Sequence, residues 1–414
     1  MNILFLTMSR ITDIGRRGIY TDLLRKFRSE GWEVYVVAPN ERGSVSWFKF
    51  QASGLVEKDG VHILGVKTLN LQKTSIIEKG IGQVLVEGQY KKAIGKFLPG
   101  IKFDLILYST PPITFPKVIK YLKKSNPKAK TYLLLKDIFP QNAVDMGMMS
   151  KSGLKGVLYR YFRNKEKRLY ELSDYIGCMS QANVEYVLKH NPEIEKNCVE
   201  VAPNSLELVD IKYEDGQKEA EWYYIRKKYN LPTNKPIFIY GGNLGKPQGI
   251  DFLIKCLDDN KERQDCYFVV VGNGTEYQKL HEWHDSLNEK STVRLMQRLP
   301  KEDYDMLVRS CDVGLIFLDH RFTIPNFPSR LLSYLEYKMP VLCATDTNTD
   351  MGRIAEKNGF GYWCESVKTE DFTSLVDKIL AADRKTMGEK GFEFLKANYL
   401  VQNTYDAIMR HFQC

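Results

Sequence analysis

Two loops in the C-terminal half of this chain carry residue types suited to holding a diphosphate. The run FTIPNFPSRLLSYLEYKMPVLCAT, Phe322 to Thr345, joins a polar loop, a short helix and a buried strand. Ile324-Pro325 and Phe327-Pro328 deny the backbone helical continuity, so Ser329 and Arg330 open the helix, where free N–H groups and a guanidinium can meet an anion. Upstream, PIFIYGGNLGKPQGIDFL passes from an apolar strand through Gly241, Gly242, Gly245 and Gly249 into a second helix, and bare glycine backbone lets a diphosphate come close. Lys246 and Arg330 are the cations placed to neutralise a departing nucleoside diphosphate, through charge-assisted bonds of about 1.5–3 kcal/mol each. The bland reading of the same residues is a tight turn, a helix start, a solvated lysine and a helix-surface salt bridge.

The N-terminal half offers a different chemistry. LLLKDIFPQNAVDMG puts Lys136 and Asp137 at the mouth of an apolar strand, just before a Pro-containing turn. A carboxylate there either takes or orients the proton of an attacking hydroxyl, or serves as a hydrogen-bonded structural residue at a helix start. Arg10, Arg17 and Gly18, in SRITDIGRRGIY after the first strand, form a basic, glycine-bearing loop.

Positioning these loops takes alternating strands and helices. Short apolar runs recur between helical patterns: ILFLTM, VYVVAP, VHILGV, FDLILYST, TYLLLKD, YIGCMS and VEVAPNS, then IFIYGG, YFVVVGNG, VRLMQRL, VGLIFLD, PVLCAT and GFGYWCE. That alternation predicts parallel α/β layers, whose ligands sit beyond the carboxyl ends of the strands. A chain of 414 residues suggests two domains. We expect two Rossmann-like domains, residues 1–204 and 205–385, followed by a helical segment 386–414.

The order GGNLGKPQGIDFL, VVVGNGTE, LPKEDYDMLVRSCDVGLIFL, NFPSRLLSYLEYKMPVLCAT, with MNILFLTMSR, LLLKDIFPQNAVDMG and YIGCMSQANVEYV in the first half, resembles family 4 glycosyltransferases of bacterial capsule and O-antigen assembly. It is most similar to their N-acetylfucosamine transferase-like branch. The resemblance implies a GT-B fold, two facing Rossmann-like domains with a cleft between them, residues 1–204 binding the acceptor, 205–385 the donor, and 386–414 returning to the first. It also implies a UDP-sugar donor, transfer with retention and a polyprenyl-diphosphate-linked saccharide acceptor. Aligned on Pro-Ser-Arg, a pair of family glutamates falls on Pro325 and Ser333, leaving Glu336, one helical turn on, either as a carboxylate for the ribose or as a solvated or ion-paired helix glutamate. The family's arginine and lysine in the glycine loop fall on Asn243 and Gln248, with Lys246 displaced. Gly18 matches the second glycine of a family loop whose amide approaches phosphate, the alternative being a plain helix N-terminus. The expected set is thus catalytic Asp137, Arg330 and Lys246, with Gly18, Gly242, Asn243, Gly245, Ser329, Ser333 and Glu336 binding the donor.

Metal and cofactor signals are poor. HEWH at His281 to His284 lacks further ligands, and Asp303-Tyr304-Asp305 falls where acidic residues suit a helix start, so we expect no metal and no cofactor. The eight cysteines are scattered without a CxxC and read as reduced packing residues. The net charge of +9 favours anionic partners, and nucleic acid is not among those expected. No apolar run is long enough to span a bilayer. The basic aromatic stretch Lys151–Tyr170 holds seven Lys or Arg against one Glu, with Leu154, Val157, Leu158, Tyr161 and Phe162 at helical spacing. It reads either as a helix docked on an anionic membrane surface or as an apolar face packed on the core. The run Lys67–Leu98 poses the same alternative. The whole predicts a cytoplasmic glycosyltransferase, peripheral on the inner face of the membrane, moving an N-acetylhexosamine-type sugar. A sugar-nucleotide epimerase of the same double fold and a non-enzymatic membrane scaffold are the alternatives.

Overall fold

The computed structural model describes residues 1–41, 53–68, 76–209 and 211–412. Strands β1 (Asn2–Leu6), β2 (Glu33–Glu41), β3 (Gly54–Lys58), β4 (Val61–Thr68), β5 (Leu105–Ser109), β6 (Lys130–Leu135), β7 (Tyr175–Cys178) and β8 (Val199–Val201) form one sheet, ordered β3-β4-β2-β1-β5-β6-β7-β8. A second sheet, ordered β11-β10-β9-β12-β13-β14, is built from β9 (Ile237–Asn243), β10 (Tyr267–Asn273), β11 (Val293–Met296), β12 (Val313–Phe317), β13 (Val341–Thr345) and β14 (Gly361–Glu365). Neighbours pair in parallel except β3 with β4. Near-continuous apolar sequences such as LILYS, VGLIF and VLCAT are buried along their whole length, as strands covered on both faces must be.

In each sheet the strand order reverses once, between β1 and β5 and between β9 and β12. In doubly wound sheets the crevice at that reversal, outside the carboxyl ends of the strands, takes the ligand. The expected site residues follow these strands: the Arg10–Gly18 loop follows β1, Asp137 follows β6, the glycine loop follows β9, and Arg330 follows β12.

Strand β3 is absent from the predicted set. It pairs antiparallel with β4 across a two-residue turn in which Asp59 and Gly60 both take positive φ, 52° and 67°. An Asp-Gly pair between apolar-alternating runs is the sequence signal for such a hairpin.

The chain divides into a first unit, Met1–Glu207 with Val401–Cys414, and a second, Leu208–Leu400. The divisions lie at 207/208 and 400/401, against the expected 204/205 and 385/386. Helix Arg384–Asn398 therefore belongs to the second unit, and the separate helix Val401–Met409 to the first. The break coincides with a main-chain hydrogen bond from Val401 to Leu206, 2.9 Å, and from there the chain enters the first core. Tyr405 packs edge-on against Phe27, Phe412 against Trp32, and Glu200 accepts from Tyr132 and His411 at 2.7 and 3.0 Å.

Of the cysteines, seven lie among the described residues; all are free and six are buried. Burial holds the Cys178, Cys256, Cys266, Cys311, Cys343 and Cys364 thiols well above their ordinary pKa, so they pack as small apolar groups. Within Lys67–Leu98 the helix is Ile76–Phe97, where Tyr90, Ala93 and Ile94 are buried and Leu85 is exposed. Leu69 and Leu71, and the side chains of Ile76, Ile77 and Val84, lie outside the described residues.

Candidate functional site

The second unit gathers its candidate site around Arg330. Its guanidinium carbon stands 4.2 Å from the centre of the Tyr240 ring, and Nη2 lies 3.6 Å from where a Cβ would project at Gly242. Gly242 has φ +126°, which side chains rarely adopt, so glycine permits the turn that sets the strand end beside the guanidinium. Burial works against the charge, but the phenols of Tyr240, Tyr334 and Tyr304 outweigh it and raise the Arg330 pKa. Those phenols stay neutral, because burial pushes all three upward, Tyr304 to about 12. Each is fixed in place. Tyr240 donates to the Asn243 carbonyl at 2.9 Å. Tyr334 donates to the Ile239 carbonyl at 3.1 Å and accepts from the Gly241 N–H at 3.3 Å. The Tyr304 hydroxyl abuts the Gly241 backbone so closely that a side chain there would collide with it.

Arg330 Nη1 is buried and has no hydrogen-bond partner among the described residues, and the same is true of Asn326 Nδ2 in the preceding loop. The loop is held from below: the Asn326 N–H donates to Thr349 Oγ1 at 3.0 Å, and Thr349 in turn donates to buried Asp346. Two fixed donors lacking acceptors are what an oxygen-rich anion satisfies.

Other expected donor-side residues fare differently. Gly242 sits beside Arg330 as described. Asn243 Nδ2 and the Gly245 N–H both donate to Gln248 Oε1, at 2.9 and 3.2 Å, so these donors shape the loop instead of facing a ligand. Lys246 begins the turn Lys246–Gln248, exposed and without an ion pair among the described residues. Ser329 is exposed and Ser333 half-buried. Glu336 is buried, and its Oε1 accepts from the Val209 N–H at 3.4 Å, which engages the carboxylate expected on a ribose. Asp303 is tied to Lys228 at 2.8 Å and to the Tyr229 hydroxyl, and Asp305 to Lys301 at 2.8 Å. The tyrosine between these two acids, passed over in the sequence, is the one that closes on the glycine strand.

In the first unit, Asp137 is half-buried and its carboxyl is pushed up to about 6 by desolvation, against the hydrogen bond that Asn142 Nδ2 donates to Oδ1 at 2.8 Å. Burial likewise pulls Lys136 down to about 7. The two part company, since Lys136 Nζ donates to the Ala202 carbonyl at 3.1 Å while Asp137 turns to Asn142. Thr110 Oγ1, at the end of β5, accepts both of their main-chain N–H groups, at 2.9 and 3.2 Å, and fixes the bend. After β1, Ser9, Arg10, Asp13, Arg16, Gly18 and Tyr20 help line a cavity of about 620 Å³. The Gly18 N–H donates to Asp22 Oδ1 at 2.9 Å. That amide, expected on a donor phosphate, is therefore spent on its own helix.

Residues 224–394 match the family described as Glycosyl transferases group 1, a span containing Gly242, Asn326 and Arg330 but not Asp137. Over 304 residues the chain is 23% identical to WbjE of Pseudomonas aeruginosa, a probable glycosyltransferase, covering 72% of this chain and 71% of that one. The fold is similar to that of an Escherichia coli trehalose-6-phosphate protein bound with UDP-2-fluoro glucose, with a TM-score of 0.70, 11% identity, and 100% and 99% of the two chains covered. It is also similar to WaaG, a glycosyltransferase involved in lipopolysaccharide biosynthesis, with a TM-score of 0.64, 12% identity and 98% of each chain covered.

Proposed function

We propose a specific reaction for this GT-B glycosyltransferase: transfer of a sugar of N-acetylhexosamine type from a UDP-sugar to a hydroxyl of a polyprenyl-diphosphate-linked saccharide, with retention, during bacterial surface polysaccharide synthesis of the capsule or O-antigen kind. The observation that carries the donor half is Arg330, stacked on Tyr240, set against Gly242 and holding a buried Nη1 without a partner among the described residues. The uridine diphosphate of the E. coli relative in fold supports that choice of nucleotide, and the role of WaaG supports a lipid-borne acceptor.

In this reading the bond between the anomeric carbon and the diphosphate oxygen breaks, a bond to the acceptor oxygen forms, and UDP departs. Arg330 meets the charge that grows on the leaving diphosphate; Asn326 adds a neutral donor to the sugar phosphate, and Lys246 adds long-range attraction from the loop. A guanidinium already stacked and desolvated does not reorganise as that charge develops. The acceptor hydroxyl gives its proton to Asp137, whose raised pKa suits a base at neutral pH, or to the departing phosphate on the same face. No metal is needed in this scheme, because Arg330 supplies the countercharge. The enzyme works at the inner face of the cytoplasmic membrane, where such acceptors lie.

Calorimetric titration with UDP and a panel of UDP-sugars tests the donor half. Wild type binds UDP, and Arg330→Ala weakens it by about ten- to a hundredfold, as expected for losing one charge-assisted contact. Equal affinity in the two proteins would place the diphosphate elsewhere. Turnover in excess EDTA should be undiminished, and collapse restored by magnesium or manganese would bring back a metal at Asp303 and Asp305.

A further inference from the structure

The helix Gly153–Glu171 is built in two halves. In its C-terminal half Glu166, Leu169 and Tyr170 are buried, and the cations there other than Arg168 are occupied: Lys165 pairs with Glu87 at 2.6 Å, Lys167 with Glu193 at 3.2 Å, and Arg163 bonds Glu166 and the Asn191 side chain. The N-terminal half stands out of the protein. Val157, Leu158 and Tyr161 are 57%, 49% and 43% exposed, and Met148 just before the helix is 58% exposed. The alternative in which this apolar face packs on the core is thus excluded for these three helix residues. They lie at i, i+1 and i+4, within one side of the helix. Lys151, Lys155, Arg160 and Arg168 are all exposed around them, and none has a carboxylate partner among the described residues.

We propose that this half-helix docks on an anionic bilayer, with Val157, Leu158, Tyr161 and Met148 entering the headgroup–acyl boundary and Lys151, Lys155 and Arg160 resting on lipid phosphates. Two features point to lipid over protein. Large apolar side chains exposed to solvent on adjacent turns of one helix match an interface that is fluid and has no shape of its own. Unpaired cations flank the stripe on both sides, with Lys155 and Arg160 projecting to opposite edges of it, and of the two acids of this helix Glu166 is buried and paired while Glu171 lies at the far end, so the charge complement of the N-terminal half is a sheet of phosphates. The purpose of the contact rests on the lipid-linked acceptor proposed above: it carries the first unit to the surface where that substrate is held.

The test is co-sedimentation of the full chain with mixed phosphatidylglycerol–phosphatidylcholine vesicles and with pure phosphatidylcholine vesicles. Wild type should bind the mixed vesicles and bind the neutral ones at least about tenfold more weakly. The Val157→Ser/Leu158→Ser/Tyr161→Ser variant and the Lys155→Glu/Arg160→Glu variant should each lose about tenfold or more on mixed vesicles while melting like wild type, since all five side chains are exposed. Brominated lipid should quench a Leu158→Trp protein beyond the quenching seen in wild type. Unchanged sedimentation of both variants, or co-sedimentation without the added quenching, overturns the proposal. So does a wild type that ignores vesicles yet self-associates through this face, with the association abolished in the serine variant. UDP affinity measured in the same samples separates the two claims: lipid binding without UDP binding would sink the proposed reaction and leave the surface standing.

Discussion

At the carboxyl edge of β9 the site is built of groups that do not titrate near neutrality, whereas the edge at β5 and β6 is built of groups that do. Arg330 lies among phenols held neutral by burial, beside backbone that carries no side chain. Asp137 and Lys136 are moved by desolvation to about 6 and about 7, from opposite directions. A phosphate contact calls for constant charge, and a proton transfer calls for a group that changes charge at working pH. The same fold, used twice, thus meets two needs through what surrounds the carboxyl ends of its strands.

If that contrast is right, breaking the constant-charge edge has the largest effect. Arg330→Ala should lower kcat/KM by about a hundredfold, equally at pH 6 and pH 8, and Arg330→Lys should recover little, because an ammonium cannot stack on Tyr240 as a planar guanidinium does. A loss that varies with pH would show that this edge titrates after all.

Next comes Asp137→Asn, expected to lower kcat by about a hundredfold with UDP affinity and melting temperature retained. In wild type the rate should rise as pH increases through about 6, where the folded carboxyl loses its proton, and this limb should vanish in the variant. Loss of stability with a proportional loss of UDP binding would mark a structural aspartate.

Asn326→Ala and Lys246→Ala sharpen the donor edge. The buried amide without an acceptor should matter more, about tenfold in donor KM, than the exposed lysine, whose screened charge should contribute less than about threefold. The reverse order would move the diphosphate toward the Lys246 turn.

The smallest effect is on stability. Lys136 has a folded pKa depressed from 10.5 to about 7, so its stabilising contribution is present above pH 10.5 and is lost as pH falls through about 7, where a buried amine must carry charge. Lys136→Met should therefore change the melting temperature more favourably at pH 6 than at pH 9, and an identical change at both would show that the amine is solvated.

Much of the architecture could be read along the chain because parallel strands covered on both faces must be short, continuous apolar runs, and VGLIF, VLCAT and YFVVVGN are written that way. Strand β3 escaped because GLVEK is half-exposed and polar at its end, so its signal lay in the Asp-Gly turn and not in hydrophobicity. The aromatic surroundings of Arg330 escaped for another reason: Tyr240, Tyr304 and Tyr334 come from a strand, a helix start and a second helix, and Tyr304 stood between two acids that drew attention to metal binding.

Sequence by itself determined the alternating α/β plan, the places where glycine and proline interrupt it, and hence which loops follow which strands, since these depend on local propensity and hydrophobic period. Only the tertiary structure decided which polar groups in those loops are spent and which are left over. Gly18, Asn243, Gly245 and Glu336 have donors or acceptors engaged within the protein, while Arg330 and Asn326 keep buried donors without partners among the described residues. Hydrogen bonds are satisfied through space and desolvation depends on every neighbouring atom, so neither is encoded in residue type or spacing alone.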